Sequence, residues 1–387
     1  MGGQAYIYLD HAATTPMRPE AVEAMLPYLS DTFANPSGSH AAAREARRAL
    51  DDAREQVAEV VGVGPGEVVF TSGGTESDVT AITGAVEARI AAGDRDAVAV
   101  CAAAEHHAVL HPVEHLGGRV VAVDAVGRVD LDALAEVLDE HTAVVSVMAV
   151  NNEVGTITDL DAVAAVVREH APTAVMHTDA VQAVTWLDLR PLSRSVDSIS
   201  LSAHKFGGPK GVGVLTVAPT ATMAPLLLGG GQERDRRSGT HNVAGIVATA
   251  VALEITDRER SQVEARVRAQ RDRLVDTIVA AIPDVVETVP RADKVAGSAH
   301  LCLPGIESEA LLFLLDRARV CASAASACAS GAMDPSHVLA AMGIESTTAG
   351  GALRLSLGHT TTDDDVDAAA AAIIDAVVHL REWVSQR

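Results

Sequence analysis

Short apolar segments alternate with amphipathic ones through the first two-thirds of the chain. Residues 44–61 place apolar side chains at helical spacing with charges on the opposite face, which predicts a helix. The apolar segments that follow predict strands over residues 67–71, 97–101, 119–123, 143–150, 174–178, 197–202 and 211–217. Because helical or connecting stretches separate these strands, we predict an α/β fold with a mostly parallel sheet covered on both faces.

The pattern changes after about Val243, where a long, charged, helical stretch runs to about Ile282. The rest of the chain reads as a smaller α/β unit, with predicted elements at 298–303 (strand), 308–318 (helix), 336–342 (helix) and 352–356 (strand) and a final helix. We therefore predict a large domain over residues 13–255 and a small C-terminal domain over residues 256–387.

Composition narrows the classes of function. The 387 residues carry a formal charge of −22 and few aromatic side chains, which argues against direct binding to nucleic acid. We expect no signal peptide, no membrane span and a cytoplasmic location. The four cysteines (101, 302, 321 and 328) have no CxxC spacing, so we predict neither a zinc site nor a disulfide framework.

Polar groups follow three of the predicted strands. Lys205 ends one of them, where a low dielectric would lower the pKa of its amine and favour attack on a carbonyl, as a Schiff-base lysine for pyridoxal phosphate (PLP) requires. Asp179 ends another and could pair with the pyridine nitrogen. Gly73-Gly74-Thr75 opens a helix whose N–H groups could hold a phosphate. Taken alone, Lys205 could be a surface lysine, Asp179 a helix cap and Gly73-Gly74-Thr75 an ordinary turn. Their order along the chain, each after a strand, predicts a PLP site.

A series of sequence blocks carries a further signal. In chain order, the blocks are Tyr8–Pro16, Asn35–Ser37, Thr71–Asp78, Glu105–Val109, Val150–Gly155, His177–Ala180, Ser202–Lys205, Arg237–Thr240, Ser326–Cys328 and Arg354–Gly358. In these blocks the chain resembles the cysteine desulfurases, the NifS/IscS branch of the class V, fold-type I PLP enzymes, nearly end to end. The resemblance implies a large domain with a mostly parallel seven-stranded sheet, and a smaller C-terminal α/β domain on which residues 1–12 pack.

The resemblance also implies roles for individual residues. Lys205 binds PLP covalently and moves the proton at the substrate Cα, Asp179 holds the ring nitrogen, and His106 stacks on the ring and relays protons. Because His107 is adjacent, it stays open which of the two histidines takes this role. The other implied contacts of the cofactor are Asn152 and Gln182 at the phenolic oxygen, and Gly74, Thr75, Ser202 and His204 at the phosphate.

Two further roles concern the partner subunit and the substrate. Thr240 is expected to reach the phosphate from a neighbouring subunit, which implies a homodimer. Arg354 is the candidate for the substrate carboxylate, because its planar guanidinium binds a carboxylate through two bonds, and Asn35 is expected to assist it. Taken alone, Arg354 also suits a surface arginine in a strand.

Cys328 decides which reaction is expected. Small residues surround it from Ala322 to Ala332, whereas Cys302 lies between two leucines and is interpreted as inert. A mobile Cys328 thiolate could take the sulfur of the substrate and release alanine. Where relatives usually carry Ser/Thr-Gly, this chain has Ala324-Ala325, and Val79 replaces a common Asn; the first change could stiffen the loop.

The expected function is that of an L-cysteine desulfurase with a persulfide on Cys328. The sulfur would pass to an acceptor protein for iron–sulfur cluster assembly, tRNA thiolation or DNA phosphorothioation, and the sequence does not choose among them. Cys328 is kept as a candidate transient iron–sulfur ligand shared with a scaffold partner. The alternatives are another class V enzyme (a selenocysteine lyase or a C–S lyase), an aminotransferase, and a non-catalytic assembly partner.

Overall fold

The structure, a computed structural model, describes residues 6–324 and 336–385. Its helices are α1 (Pro19–Met25), α2 (Pro27–Ser30), α3 (Ala41–Val61), α4 (Gly74–Ala91), α5 (His107–His115), α6 (Leu131–Val137), α7 (Leu160–His170), α8 (Leu189–Ser195), α9 (Val243–Ala281), α10 (Ser308–Arg317), α11 (His337–Ala341), α12 (Ser346–Ala349) and α13 (Asp363–Ser385). Its strands are β1 (Ile7–Tyr8), β2 (Val68–Thr71), β3 (Val98–Ala102), β4 (Arg119–Val121), β5 (Thr142–Ser146), β6 (Val175–Asp179), β7 (Ser198–Ser202), β8 (Gly213–Val217), β9 (Val286–Glu287), β10 (Ser298–Cys302), β11 (Val320–Cys321) and β12 (Ala352–Ser356).

Seven of the strands form one sheet in the order β2-β8-β7-β6-β5-β3-β4. Strand β8 runs antiparallel to both of its neighbours, and the other pairs are parallel. Every residue of β2, β5, β6, β7 and β8 is buried, as expected where helices cover both faces of a parallel sheet. The predicted α/β class and the mostly parallel seven-stranded sheet are confirmed.

A smaller sheet lies in the C-terminal part of the chain. Strand β10 pairs antiparallel with β12 on one side and with β9 on the other. The N-terminal strand β1 pairs in parallel with β11, and Asp10 forms a bridge with Ser356. The first described residues therefore lie against the C-terminal part of the chain rather than against the large sheet.

Helix α9 connects two separate hydrophobic cores. Leu253 packs in the core around the large sheet, whereas Val267 packs in the core around the small sheet. The predicted domain boundary at 255/256 therefore lies inside a continuous helix. Within residues 6–324 and 336–385, no helix combines the length and the apolar content needed to cross a membrane.

Candidate active site

The predicted cofactor residues lie where strands of the large sheet end. Asp179 is the last residue of β6, and its register partner in the parallel strand β7 is Ser200. The chain continues from β7 into a short 3₁₀ turn, Ala203–Lys205. Helix α4 begins at Gly74, three residues after β2 ends. Because β2, β6 and β7 all point the same way in the sheet, their ends meet at one edge, where ligands of open α/β sheets bind.

One cavity of about 980 Å³ opens at this edge. The predicted site residues that line it are Gly74, Thr75, His106, Asn152, Asp179, Gln182, Ser202, His204, Lys205 and Arg354. Asn35 and Thr240 do not line it: both side chains are exposed, and the Asn35 Oδ1 accepts a hydrogen bond from the backbone N–H of Ser37 at 3.0 Å. Cys328 lies outside the described residues.

The Lys205 amine contacts the N-terminal segment. Its Nζ donates to the carbonyl oxygens of Ala12, at 2.5 Å, and Ala13, at 2.9 Å. Gln182 Nε2 donates to the same Ala12 carbonyl at 2.8 Å. The segment that precedes α1 therefore forms one wall of the cavity and orients both the lysine and the glutamine.

Two buried carboxyl groups, Asp78 and Asp179, line the cavity, and a third, Glu105, lies close enough for the charge of Asp179 to affect its pKa. Burial raises the pKa of Asp179, although the N–H of Val181, at 2.8 Å from its Oδ1, and the charge of Lys205 oppose the shift. Burial also raises the pKa of Asp78, which Asp179 raises further, and that of Glu105. Among the described residues, Asp78 Oδ1 and Glu105 Oε2 have no hydrogen-bond partner. Such an acidic floor suits a ligand with a protonated ring nitrogen.

Two histidines line the cavity side by side. His106 caps α5 by accepting a hydrogen bond from the Ala108 N–H at 3.1 Å. Burial, and after it the charge of Lys205, lowers the pKa of His106 to about 4, so its imidazole is neutral near pH 7. The His107 ring lies 4.6 Å from that of His111 and 4.5 Å from that of His337. Both histidines line the cavity, and the charge of Lys205 contributes to the lowered pKa of His106 but is not among the causes that lower the pKa of His107.

The start of α4 is suited to an anion. Its N-cap, Gly73, provides no side-chain hydrogen bond to the first turn, so the amides there remain available to a ligand. A Cβ on Gly74 would lie 2.9 Å from Val181 Cγ2 and 3.3 Å from Ser202 Cβ, so glycine allows the helix to approach β7 closely. His204 also lines the cavity, and burial, followed by the charges of Lys205 and Lys210, lowers its pKa to about 4.

Arg354 approaches the cavity from β12 in the smaller sheet. Its Nη2 pairs with Asp10 Oδ1 at 3.0 Å, and its Nη1 donates to the Asn152 carbonyl at 3.1 Å. Its Nε and the Asn152 amide oxygen Oδ1 are buried without a hydrogen-bond partner among the described residues. A guanidinium held in this way presents a fixed, mostly buried cation to a carboxylate ligand.

Several residues at this site were not predicted from the sequence. Asp10 and Glu153 belong to blocks that the sequence singled out, but nothing there assigned them a role. Glu153 lines the cavity, and burial raises its pKa to about 7 against the opposing effects of Ser336 and Arg354. Ser336 and His337 also line the cavity, and no pattern in the sequence could have indicated this.

The residues present fit PLP. An anion site at a helix start, a lysine, a buried acid at a strand end and a partnerless amide oxygen face one cavity of sufficient size. Across residues 6–324 and 336–385, no group of three or more His, Cys, Asp or Glu side chains is arranged to hold a metal ion.

Comparisons with known proteins agree with this chemistry. Residues 7–369 match the class V aminotransferase family. The chain is 45% identical over 383 residues to the IscS-like cysteine desulfurase of Mycobacterium tuberculosis, covering 97% of each protein. Among solved structures, a NifS-like protein is similar at 34% identity with a TM-score of 0.90, covering 97% of this chain and all of that one. A structure of SspA in complex with cysteine is similar at 30% identity and a TM-score of 0.78, covering 92% of this chain and 99% of that one.

The family match spans most of the chain, and the similarity to cysteine desulfurases runs nearly from end to end. PLP binding in this cavity, as the family implies, accounts for Lys205, for Asp179 and for the anion site at the start of α4. The chain therefore belongs to the class V aminotransferase family, within its cysteine desulfurases, and is a PLP-dependent enzyme.

Proposed function

We propose that this cysteine desulfurase binds L-cysteine through Arg354, transfers the substrate sulfur to Cys328, and passes the persulfide to an acceptor protein. One observation carries the proposal: Arg354 lines the cavity that contains Lys205, and its backbone is hydrogen-bonded to Ser323, five residues before Cys328. The same strand residue thus connects the substrate site with the segment that leads to the sulfur-accepting cysteine.

Arg354 is well placed to bind the substrate carboxylate. Its side chain is only 8% exposed, and Asp10 and the Asn152 carbonyl fix two of its nitrogens. A ligand carboxylate would supply the partner that the buried Nε lacks among the described residues. Because the arginine is already oriented, little conformational entropy would be lost when the substrate binds. Asn35 stays a predicted helper of Arg354, and its exposed position gives that role no added support.

PLP, when bound, supplies the electron sink that weakens the bonds at the substrate's Cα. Asp179, buried at the cavity, would hold the proton of the ring nitrogen. Lys205 would hold the cofactor and then move the proton at the substrate Cα. His106, neutral because its pKa is low, could accept a proton in the same cavity. Gln182 and Asn152 would orient the ring, and the amides at the start of α4 would hold the phosphate.

The sulfur step requires a thiolate. As Cys328 attacks the substrate sulfur, an S–S bond forms and the Cβ–S bond breaks, and the electron pair left on carbon takes a proton to yield alanine. Four residues of chain link Ala324 to position 328, a span of at most about 14 Å. Since Ser323 is bonded to Arg354, this span allows the thiol to reach a substrate bound at the arginine.

Three broader parts of the proposal concern the assembly and its surroundings. The enzyme acts as a homodimer in which Thr240 completes the phosphate site of the neighbouring subunit; its exposed position, away from the cavity of its own chain, supports this. The persulfide passes to a scaffold or carrier protein. The enzyme works in the reducing cytoplasm, in keeping with the free thiols of Cys101, Cys302 and Cys321.

A sulfur-mass experiment tests the proposal. A short pulse of L-cysteine without reductant should add one sulfur atom to the peptide containing Cys328 and none to the peptides of the other cysteines. Cys328→Ser should form no persulfide and release alanine about 100-fold more slowly. Cys321→Ser is the matched control. Cys321 is a half-buried thiol at the C-terminal end of β11, from which the chain continues toward Cys328, and its replacement should not affect turnover.

The same variants separate the alternative reactions. Full alanine release in Cys328→Ser would contradict the persulfide route and favour a C–S lyase. If selenocysteine is turned over in Cys328→Ser while L-cysteine is not, a selenocysteine lyase activity is present beside the desulfurase. Neither alternative has an observation of its own in the described residues.

A further inference from the structure

Glu153 forms a buried contact that the proposed reaction does not use. Ser336 Oγ donates a hydrogen bond to Glu153 Oε2. The two residues are 5% and 6% exposed, and the pair joins the turn after β5 to the start of α11. Ser336 is also the N-cap of α11, where its Oγ accepts a hydrogen bond from the Leu339 N–H at 3.2 Å. Glu153 therefore holds the residue at which this helix begins.

Local hydrogen bonds and close packing hold the turn that carries Glu153. Asn151 Oδ1 accepts hydrogen bonds from the backbone N–H groups of Glu153, at 2.9 Å, and Val154, at 3.0 Å. Gly155 completes the turn in a left-handed conformation with φ of 81°, and a Cβ there would lie 2.3 Å from Ser298 Cβ in the small sheet. A fixed carboxylate can position its partner, whereas a mobile one could not.

Helix α11 has two other contacts on the same side of the cavity. His337 Nε2 lies 2.8 Å from the backbone carbonyl oxygen of Glu105, to which it donates in the tautomer that carries the proton on Nε2. Val338 and Leu339 pack in one buried cluster with Val154. Apolar contacts hold the helix against the turn but slide easily, so the two hydrogen bonds fix where the helix starts.

Both ends of the chain interval that contains Cys328 are connected to Arg354, one directly and the other through Glu153. At one end, Ser323 and Arg354 exchange two backbone hydrogen bonds, at 2.8 and 3.2 Å. At the other end, Ser336 is held by Glu153, whose carboxyl is subject to the charge of Arg354, and Arg354 itself donates to the carbonyl of the preceding Asn152. Thus Ser323 and Ser336, which flank this interval, are connected to the predicted substrate arginine, the first by backbone hydrogen bonds and the second through Glu153.

We propose that Glu153 is a positioning residue for sulfur transfer: by holding Ser336, it fixes the start of α11 and so the C-terminal end of the interval that contains Cys328. The inference rests on the proposed function, because it assigns Glu153 to the step in which Cys328 takes the sulfur. It places Glu153 after substrate binding, which is the task of Arg354.

The test compares Glu153→Ala, Glu153→Gln and Ser336→Ala in the full-length holoenzyme. The measurements are the L-cysteine concentration that gives half of the absorbance change of the bound cofactor, the first-turnover rate of persulfide formation on Cys328, and hydrogen–deuterium exchange in the peptide covering 337–341. We expect Glu153→Ala and Ser336→Ala to slow persulfide formation about tenfold and to speed exchange about tenfold, with less than a twofold change in half-saturation.

Two comparisons sharpen the result. Glu153→Gln keeps an oxygen that accepts the Ser336 hydroxyl, so it should recover most of the wild-type rate. The combined effect in the double variant Glu153→Ala/Ser336→Ala should fall well short of the product of the two single effects, because both changes remove the Glu153–Ser336 bond and only Ser336→Ala also removes the cap on the Leu339 N–H. Ser308→Ala is the matched control, because it deletes a buried hydroxyl at the start of α10 that is bonded to the Gly350 and Ala352 carbonyls. It should change neither the half-saturating concentration of L-cysteine nor the rate of persulfide formation.

Each other outcome overturns the inference. A wild-type rate of persulfide formation in Ser336→Ala and in a folded Glu153→Ala, even with faster exchange, would make the contact purely structural. An equal loss of substrate binding and persulfide formation would place Glu153 with Arg354 in binding. If the wild type itself places no sulfur on Cys328, the proposed function fails and this inference fails with it. Should Glu153→Ala not fold, Ser336→Ala, which deletes only a hydroxyl, decides the matter.

Discussion

Arg354 and Ser323 pair through their backbones in both directions: the Arg354 N–H donates to the Ser323 carbonyl at 2.8 Å, and the Ser323 N–H donates back at 3.2 Å. The pairing leaves the Arg354 side chain directed into the cavity with Lys205. A residue proposed to bind substrate is thereby joined to the segment that leads to Cys328.

Arg354→Ala should raise the KM for L-cysteine about 100-fold, because a charge-assisted bidentate contact is lost, while bound PLP is retained. Arg354→Lys should recover only part of the loss, since an ammonium cannot form the planar pair. Arg18→Ala, which removes a similarly buried arginine paired with Glu259 at 2.8 Å, is the control for lost stability. An unchanged KM in Arg354→Ala would remove this residue from substrate binding.

Lys205→Ala should lose the covalent attachment of PLP. Borohydride reduction of the wild type should fix the cofactor mass on the peptide containing Lys205, and no such adduct should form in the variant. Lys210→Ala is the matched control, because this exposed lysine lines the same cavity and should leave the adduct in place. An adduct that maps to Lys210 would refute the assignment.

Thr240 should act across a two-fold interface. When Lys205→Ala and Thr240→Ala chains exchange subunits, each mixed dimer has one site with both lesions and one intact site, so activity should return. Random pairing would restore about a quarter of the wild-type sites. The measurement is activity after exchange, with mixed dimers verified by native mass spectrometry. No recovery above the parent proteins would indicate that Thr240 acts within its own chain.

The pH dependence of stability should report on Glu153. Burial raises its pKa in the folded state to about 7, above its ordinary value of 4.5. Between these values the folded chain holds a proton that the unfolded chain has released, so this group's contribution to stability is full below pH 4.5 and is lost as the pH rises through 7. Glu153→Gln cannot lose a proton, and its stability relative to the wild type should rise across this window by on the order of 3 kcal/mol.

Urea unfolding at pH 4.5, 6 and 7.5 checks this prediction. Glu309→Gln, on the exposed face of α10, serves as the control for a change in net charge. A constant difference between the wild type and Glu153→Gln across the three values would contradict the raised pKa.

Much of the fold follows from local pattern. The predicted strand at 352–356 matches β12, and the helix predicted from Val243 to about Ile282 matches α9 within one residue. Strand periodicity and strand ends are properties of neighbouring residues, so the sequence also indicated that Lys205 and Asp179 follow buried strands at one edge of a sheet. Chemistry that depends on residue type and chain order could be predicted in the same way.

What the sequence by itself determined, then, is the α/β architecture, the family and the residues that follow strand ends. Only the tertiary structure decided that Asp10 pairs with Arg354, 344 residues away, and that Ser336 binds Glu153, 183 residues away. Such contacts depend on how the small sheet packs against the large one, and no local periodicity encodes that packing. The raised pKa of Glu153 has the same origin, because desolvation arises only when both parts of the chain close over the carboxyl group.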